Sequence, residues 1–398
     1  MKEAEFFEKI GTGHGKSKQV LDGSTIDSRV RCLACRHNCV ISDGETGICG
    51  VRMNKKGKLY SLVYGHPSAV HLDPMEKKPL YHFLPGKKVF SLGTVGCNLS
   101  CKFCQNFDLS QSTKILKATY KEPLQRRENL IKLCGGKLNF SRTYGLISGD
   151  SMGGEFCEAE AMDNEEFLPE KVVKICEEGS IPAIAYTYNE PTIFFEYARD
   201  IGVLAHKKGI KNIFVTSGYE SDEVLEASEG WMDAMNIDLK MFKEDKYLEI
   251  CGVKLSGVLK TIEKVAAGKI WLEITTLVIP ELNDSDDELR EIAKFIAGLS
   301  KDIPWHVTAF HPCYKMMDRP ETPEETLIRA WDIGKSVGLK YVYTGNILGG
   351  HHNTECPKCG GIVVERCRMG CNRCLVEVAD SGEGRCPKCV EIIAGVWR

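Results

Sequence analysis

The chain has almost no excess of either charge: 52 Lys plus Arg stand against 55 Asp plus Glu in 398 residues, a formal net charge of −3. Without a basic surplus it lacks the electrostatic footprint of a nucleic-acid binder, and no clear nucleic-acid signal is present. No apolar run is long enough to span a bilayer, so no membrane role is expected. The opening residues, Met1-Lys2-Glu3-Ala4-Glu5-Phe6-Phe7-Glu8, lack the apolar core of a secretion signal. That argues against a secreted, disulfide-stapled protein. There is no repeat of solenoid length and no long low-complexity tract, which sets aside repeat architectures. A phosphate loop is missing too. Gly11-Thr12-Gly13-His14-Gly15-Lys16-Ser17 would need glycine at position 10, where Ile10 stands, and no strand-like run precedes it. We expect a flexible segment there.

Cysteine, by contrast, is abundant: 19 of 398 residues, many in C-x2-C groups. In a reducing compartment such groups are metal or cluster ligands, and the chain is expected to be cytoplasmic. Three regions differ in texture. Residues 1–86 are rich in cysteine and glycine, 87–345 alternate strand-like and helix-like patterns, and 346–398 are dense in cysteine again.

Cys97, Cys101 and Cys104 form a C-x3-C-x2-C triplet directly after the strand-like run Lys88–Gly96. Four thiolates close an iron–sulfur cubane; three leave one iron open to an exogenous ligand, and an open iron can do chemistry. At this cysteine frequency random placement gives roughly 0.04 matches to the spacing. A second match, Cys367, Cys371 and Cys374, has too little chain after it to build a nucleotide pocket, whereas the whole middle region follows the first. A structural zinc knuckle would need a fourth ligand.

Elsewhere, Cys32, Cys35, Cys39 and Cys49 offer four thiolates within a short span. Zinc is the default occupant and a second cluster the alternative. In the tail Cys356 and Cys359 pair with Cys386 and Cys389, each in a Cys-Pro-Lys-Cys knuckle, which reads as a zinc ribbon folded by its metal. Cys371 and Cys374 lie between the knuckles, so the spacing leaves open which pairs share the metal.

In the middle region short apolar strands recur, each followed by an amphipathic helix. They lie at 88–96, 181–187, 212–216, 234–239, 270–279, 305–310 and 341–344. Ser285 and Glu288 form a capping box, and Thr322 and Glu325 a second one with Pro323 at the first helical position. Such alternation implies parallel strands with right-handed crossovers. The fold class is α/β, a partial (β/α)6-type barrel of six or seven strands with cysteine-rich N-terminal and zinc-ribbon-like C-terminal regions. Polar and small residues gather where strands end, at Tyr188–Thr192, Thr216–Tyr219, Asp238–Lys240, Pro280–Asp284 and His311–Pro312, as chemistry at the C-terminal mouth of a barrel requires. Alternation makes His306 a satisfied core histidine and puts His311 at the mouth, where it could handle substrate or protons. Cys313 beside it could donate a hydrogen atom. Residues 133–166 interrupt the pattern and read as a surface insertion or lid.

The run Gly96–Asn106, with Phe103 just before the last cysteine, resembles the signature of radical S-adenosylmethionine (SAM) enzymes. More widely, Cys39–Asn54, Gly65–Gly86, Ala185–Thr192, Trp271–Ser285, Trp305–Pro320, Tyr341–Asn346 and the knuckled tail resemble the AmmeMemoRadiSam-system radical SAM proteins, relatives of pyruvate formate-lyase activating enzymes. The resemblance implies a [4Fe–4S] cluster on Cys97, Cys101 and Cys104 whose open iron is chelated by SAM. One electron, from a flavodoxin- or ferredoxin-like donor, would cleave SAM to methionine and a 5′-deoxyadenosyl radical that takes hydrogen from a protein or small-molecule substrate. Tyr188–Thr192 stands where the family carries its glycine-glycine-glutamate motif, without the glycines. This implies Asn189, Glu190 and Ser217 at the cofactor, with Glu190 meeting the methionine ammonium of SAM or else capping the following helix. Asp238 and Lys240 resemble a strand-four motif of the activases that approaches cofactor and substrate; otherwise they form a rim salt bridge. Lys240 and His311 are thus the catalytic candidates, and Phe103 and Asp238 join the cofactor set. The opposing reading is an iron–sulfur and zinc scaffold that binds a partner without turning SAM over.

Overall fold

The computed structural model describes residues 1–10, 28–120, 122–135, 166–367 and 370–398, with the backbone of 19–21 and 24–26. The expected lid at 133–166 and the glycine-rich segment at 11–17 lie, almost wholly and wholly, outside these residues.

Seven parallel strands form the main sheet: β1 Lys88–Gly93, β2 Ala183–Tyr186, β3 Lys211–Thr216, β4 Ala234–Asp238, β5 Trp271–Val278, β6 Trp305–Ala309 and β7 Val342–Gly345. They pair in sequence order, and an eighth strand, Ala69–Pro74, adds antiparallel to β1. No pairing joins β7 to that edge among the described residues, so the sheet is an open barrel. The partial barrel expected from the alternation is thereby present, with seven parallel strands, the larger of the two expected counts. Its edge comes from the N-terminal region, so the change of texture at residue 86 does not mark a boundary of the sheet.

Two faces follow from the period of two. Outward residues such as Phe90, Ile184, Tyr186, Phe214, Ile237, Ile274 and Val307 are buried against the helices. The residues alternating with them, Ser91, Ala183, Ala185, Asn236, Thr275 and His306, are small or polar and face the barrel interior. Met75, Leu80, Phe83 and Leu84 plug the floor, packing with Val89, Ala183, Ala185, Ile213 and Ala234. The plug is held by polar bonds as well. Asn236 Nδ2 donates to Pro79 O at 2.7 Å, and buried Glu273 accepts from the amides of Tyr81 and His82 at 3.0 and 2.8 Å. His306 Nε2 lies 2.6 Å from Glu273, so it is indeed a satisfied core residue.

The helix Asp286–Leu299 buries Leu289, Ile292, Ala293 and Ile296 on one stripe. Its cap is half of the expected box. Ser285 Oγ accepts from Glu288 N, but the Glu288 carboxylate accepts from Phe242 N at 2.8 Å instead of turning back. The second box is absent. Thr322 Oγ1 accepts from Phe310 N and donates to Val278 O, tying the ends of β5 and β6 together, and the helix begins at Glu324 with Pro323 as an N-cap that lends no side chain. A tertiary demand for the hydroxyl outbids the local motif.

The N-terminal region forms small antiparallel sheets, among them the hairpin Arg52–Lys55 with Lys58–Ser61. Arg52 is locked to Glu196 of the helix Phe195–His206 by two bonds of 2.7 and 2.6 Å, with side chains 2% and 1% exposed. The tail packs on the barrel through Val363, Val364, Cys386, Ile393 and Trp397 against Tyr81, Tyr341 and Tyr343. No described helix is long and apolar enough to cross a membrane.

Candidate active site

The loop after β1 carries Cys97, Cys101 and Cys104, the first two buried and the third partly so. Gly96 opens it at φ +90°, and a Cβ there would lie 2.6 Å from Cys49 O, so glycine is required twice over. On one side Asn189 Nδ2 donates to Gly96 O at 2.8 Å, while its Oδ1 accepts from Thr94 N at 3.3 Å. On the other side the amides of Ser100 and Lys102 donate to Cys251 O and Ile250 O at 2.8 and 3.0 Å. Those carbonyls end the helix Glu244–Cys251, which has no later turn to use them. The loop after β6 closes the third side. Cys313 Sγ lies 3.5 Å from Cys104 O, Lys315 N donates to Lys102 O at 2.9 Å, and Phe107 stacks on Tyr314.

Burial pushes the thiols of Cys97 and Cys104 up, the latter to about 11. Cys101 is pushed up first by its hydrogen bond with the buried thiol of Cys251 and then by burial. Two cations flank these sulfurs. Lys114 bonds Leu99 O and Ser100 Oγ, and its charge favours the Cys97 thiolate. Lys240 is buried, pairs with Asp238 at 2.8 Å and stands 5.7 Å from the centre of the Phe103 ring, where its charge favours the Cys101 thiolate.

Tyr188 takes φ +71°, a left-handed conformation natural to glycine. Its hydroxyl donates to Asp73 at 2.7 Å, an anchor that offsets the strain. Of the two residues that stand in place of the glycines, Tyr188 alone takes a glycine-like conformation. Glu190 does not cap the following helix: it lends no cap bond there. Its buried carboxyl accepts instead from Thr216 Oγ1 and, at 2.9 Å, from Ser217 N, crossing from the end of β2 to the end of β3. Thr216 Oγ1 meets the carboxyl of Glu220 as well. A hydroxyl has one hydrogen to donate, so two carboxyls bound to it need a proton of their own. Burial, then the charge of Glu220, raises Glu190, and burial raises Glu220.

The mouth therefore gathers Phe103, Asn189, Glu190, Ser217, Asp238 and Lys240 around the cysteine loop. His311 stands apart, its side chain 46% exposed and 3.2 Å from the exposed Glu321. Sequence reasoning missed Lys114, Cys251 and Glu220, and marked Thr216 only as one of the polar residues where β3 ends. None sits in a spacing motif, and only the fold brings them to the loop.

Within the tail, Cys356 Sγ lies 3.5 Å from Cys389 Sγ and Cys359 Sγ lies 3.7 Å from Cys386 Sγ. All four sulfurs fall within 4.8 Å of one another, which leaves Cys371 and Cys374 outside the group. Zinc at about 2.3 Å from each sulfur sets tetrahedral edges of about 3.8 Å. Among the described residues no other group of three ligands is so tightly drawn.

Comparison with known proteins agrees with this architecture. The model of the radical SAM superfamily matches residues 91–296, slightly more than half of the chain, and the chain belongs to that superfamily of enzymes. It is 35% identical over 368 residues to the uncharacterized protein MJ0808 of Methanocaldococcus jannaschii, covering 92% of each chain. It is also 25% identical to the putative glycyl-radical enzyme activating enzyme MJ1632 of the same organism, over 43% of this chain and 65% of that one. With the pyruvate formate-lyase-activating enzyme of Clostridium pasteurianum it shares 24% identity over 56% of this chain and 76% of the relative. The protein is a radical SAM enzyme related to the activating enzymes. The family implies a [4Fe–4S] cluster and SAM, and three buried or half-buried thiols flanked by cations, at a polar barrel mouth, fit such an occupant.

Proposed function

We propose that Cys97, Cys101 and Cys104 each ligate one iron of a [4Fe–4S] cluster and leave the fourth iron to the amino and carboxylate groups of SAM. Cluster and SAM, when bound, supply one-electron chemistry that yields a 5′-deoxyadenosyl radical able to abstract hydrogen. The chain's own residues supply placement and charge. Lys114 and Lys240 favour the thiolates and offset the negative charge of the bound centre. Asn189 and the end of the helix Glu244–Cys251 hold the loop from opposite sides. Glu190, fixed by Thr216 and Ser217, orders the β2 and β3 ends that face the cofactor. The Phe107–Tyr314 stack ties the cysteine loop to the loop after β6.

The observation that carries this reading is the set of three thiols on one loop at the mouth of an open parallel barrel. The radical acts on a protein or small-molecule substrate, activase-like, with electrons from a flavodoxin- or ferredoxin-like donor in the cytoplasm. His311, exposed beside Glu321, handles substrate or protons in this reading. The tail holds zinc on Cys356, Cys359, Cys386 and Cys389, and one zinc per chain should be lost in Cys386→Ser. Oxygen-free reconstituted protein given dithionite and SAM should yield 5′-deoxyadenosine and methionine, and Cys101→Ala should abolish the yield. No product from a protein with its cluster intact would overturn the proposal.

A further inference from the structure

Cys32, Cys35, Cys39 and Cys49 line one small cavity that meets the cysteine loop at Asn98. The loop's own three sulfurs have unequal partners. Cys97 Sγ accepts from Leu99 N at 3.4 Å, a bond inside its own turn, and Cys101 faces the thiol of Cys251. Cys104 alone of the three meets a hydroxyl. Ser110 Oγ lies 3.1 Å from its sulfur, which the amide of Asn106 approaches as well. The helical turn Phe107–Ser110, with Ser110 N donating to Asn106 O at 2.8 Å, folds the chain back towards Cys104 and puts the hydroxyl there.

The neighbouring bonds fix which way that hydroxyl points. Gln111 Oε1 lies 3.2 Å from Lys114 Nζ, and an ammonium only donates. The amide nitrogen of Gln111 is thereby turned the other way, where it gives one hydrogen to Leu99 O at 3.2 Å and the other to Ser110 Oγ at 3.0 Å. Ser110 and Gln111 are 1% and 3% exposed, so water does not compete. With one lone pair engaged by Gln111, the hydroxyl keeps its single hydrogen for the sulfur. A helical serine commonly gives that hydrogen to a carbonyl three or four residues back, as Ser112 Oγ does to Leu109 O at 2.8 Å. Ser110 makes no such bond among the described residues. An iron-bound thiolate has no hydrogen of its own and can only accept.

We propose that Ser110 is a positioning residue for the cluster on Cys97, Cys101 and Cys104. Oriented by Gln111, its hydroxyl donates to the Cys104 sulfur and raises the reduction potential of the centre. Taking up one electron adds negative charge that spreads onto the thiolate sulfurs. A donor already aimed at one of them stabilises the reduced state more than the oxidised one. Burial strengthens the bond, and the series Lys114, Gln111, Ser110 adds to it, each group polarising the next. This role rests on the cluster reading above and is independent of SAM cleavage.

The test is a redox titration of the oxygen-free, reconstituted full chain without SAM, poised with viologen mediators. Each reduced viologen gives up one electron, and the cluster passes from the 2+ to the 1+ state. The signal followed is the paramagnetic one that Cys97→Ala/Cys101→Ala/Cys104→Ala lacks. In Ser110→Ala the reduced-to-oxidised ratio at the wild-type midpoint should fall about tenfold, a midpoint lower by about 59 mV for one electron. Ser110→Thr, which keeps the hydroxyl, should stay near wild type. A residue that served packing alone would change iron content and leave the midpoint of the remaining cluster in place, and that result overturns the proposal. If Ser110→Ala assembles no cluster, Gln111→Leu decides. Its hydroxyl is kept but no longer aimed, so its midpoint should fall by less, and an unchanged midpoint overturns the proposal. Zinc in place of iron at the loop overturns this role and the cluster reading together. The expected shift without any deoxyadenosine would defeat SAM cleavage and leave the role of Ser110 standing.

Discussion

Glu196→Gln removes one charge from a pair with no access to water. Arg52 and Glu196 meet through two bonds of 2.7 and 2.6 Å, and the Glu5 amide adds a third contact to the same carboxylate at 3.0 Å. The substitution leaves the guanidinium buried without a counter-charge, which costs about 3–5 kcal/mol. For 398 residues the entropy of unfolding near the midpoint is about 0.8 kcal/mol/K if the chain melts as one unit. The melting temperature should therefore fall by about 4–6 °C in calorimetry of the metal-loaded protein. The pair also sets a pH dependence. Burial alone would raise Glu196, but the charge and hydrogen bonds of Arg52 hold it below the usual carboxylate range. Its contribution is thus complete above the unfolded pKa of about 4.3 and is lost as pH falls through the lower folded value. The gap between wild type and variant should stay constant at neutral pH and close only in acid. Arg52→Met/Glu196→Leu, which removes both charges, should recover most of the loss. A single variant within about 1 °C of wild type, or a double variant as unstable as the single, refutes the reasoning.

Gly96→Ala must relieve a 2.6 Å contact with Cys49 O at φ +90°, so iron content after reconstitution should fall, while Gly298→Ala, whose Cβ meets nothing, should keep its iron. Glu220→Gln should flatten stability against pH. Burial raises both carboxyls of the Glu190–Glu220 pair, so the folded state holds extra protons and wild-type stability declines as pH rises through the unfolded value toward the raised ones. Melting curves from pH 5 to 9 that decline as steeply in the variant as in wild type would contradict the shared proton. Lys240→Met removes the cation beside the Cys101 thiolate and leaves Asp238 without its partner, so iron content after reconstitution and deoxyadenosine formation should both fall. Full activity would remove Lys240 from the site.

Much of this was legible in the chain because the signals were local. The period of two and the helices that follow place all seven parallel strands, and the cysteine spacing picks out the loop after β1. The tail spacing nominates its knuckles, but only the sulfur positions exclude Cys371 and Cys374 from the group. Long-range demands were not legible. Thr322 abandons its capping box to tie β5 to β6. Glu190 leaves the helix beside it for Thr216 and Ser217. Cys251 and Lys114 reach the cluster loop from helices whose own sequences give no reason to look there. His311 was placed at the mouth by strand alternation, yet the strand ends at Ala309 and the ring turns to the exposed rim.

The most direct test is the paramagnetic spectrum of the reduced, oxygen-free protein, recorded with and without SAM carrying nitrogen-15 in its amino group. An iron with a free corner should shift its signal on adding the nucleotide and show coupling to the labelled nitrogen, and both effects should vanish in Cys97→Ala/Cys101→Ala/Cys104→Ala. A spectrum indifferent to SAM, from a protein that still holds iron at that loop, would contradict the account.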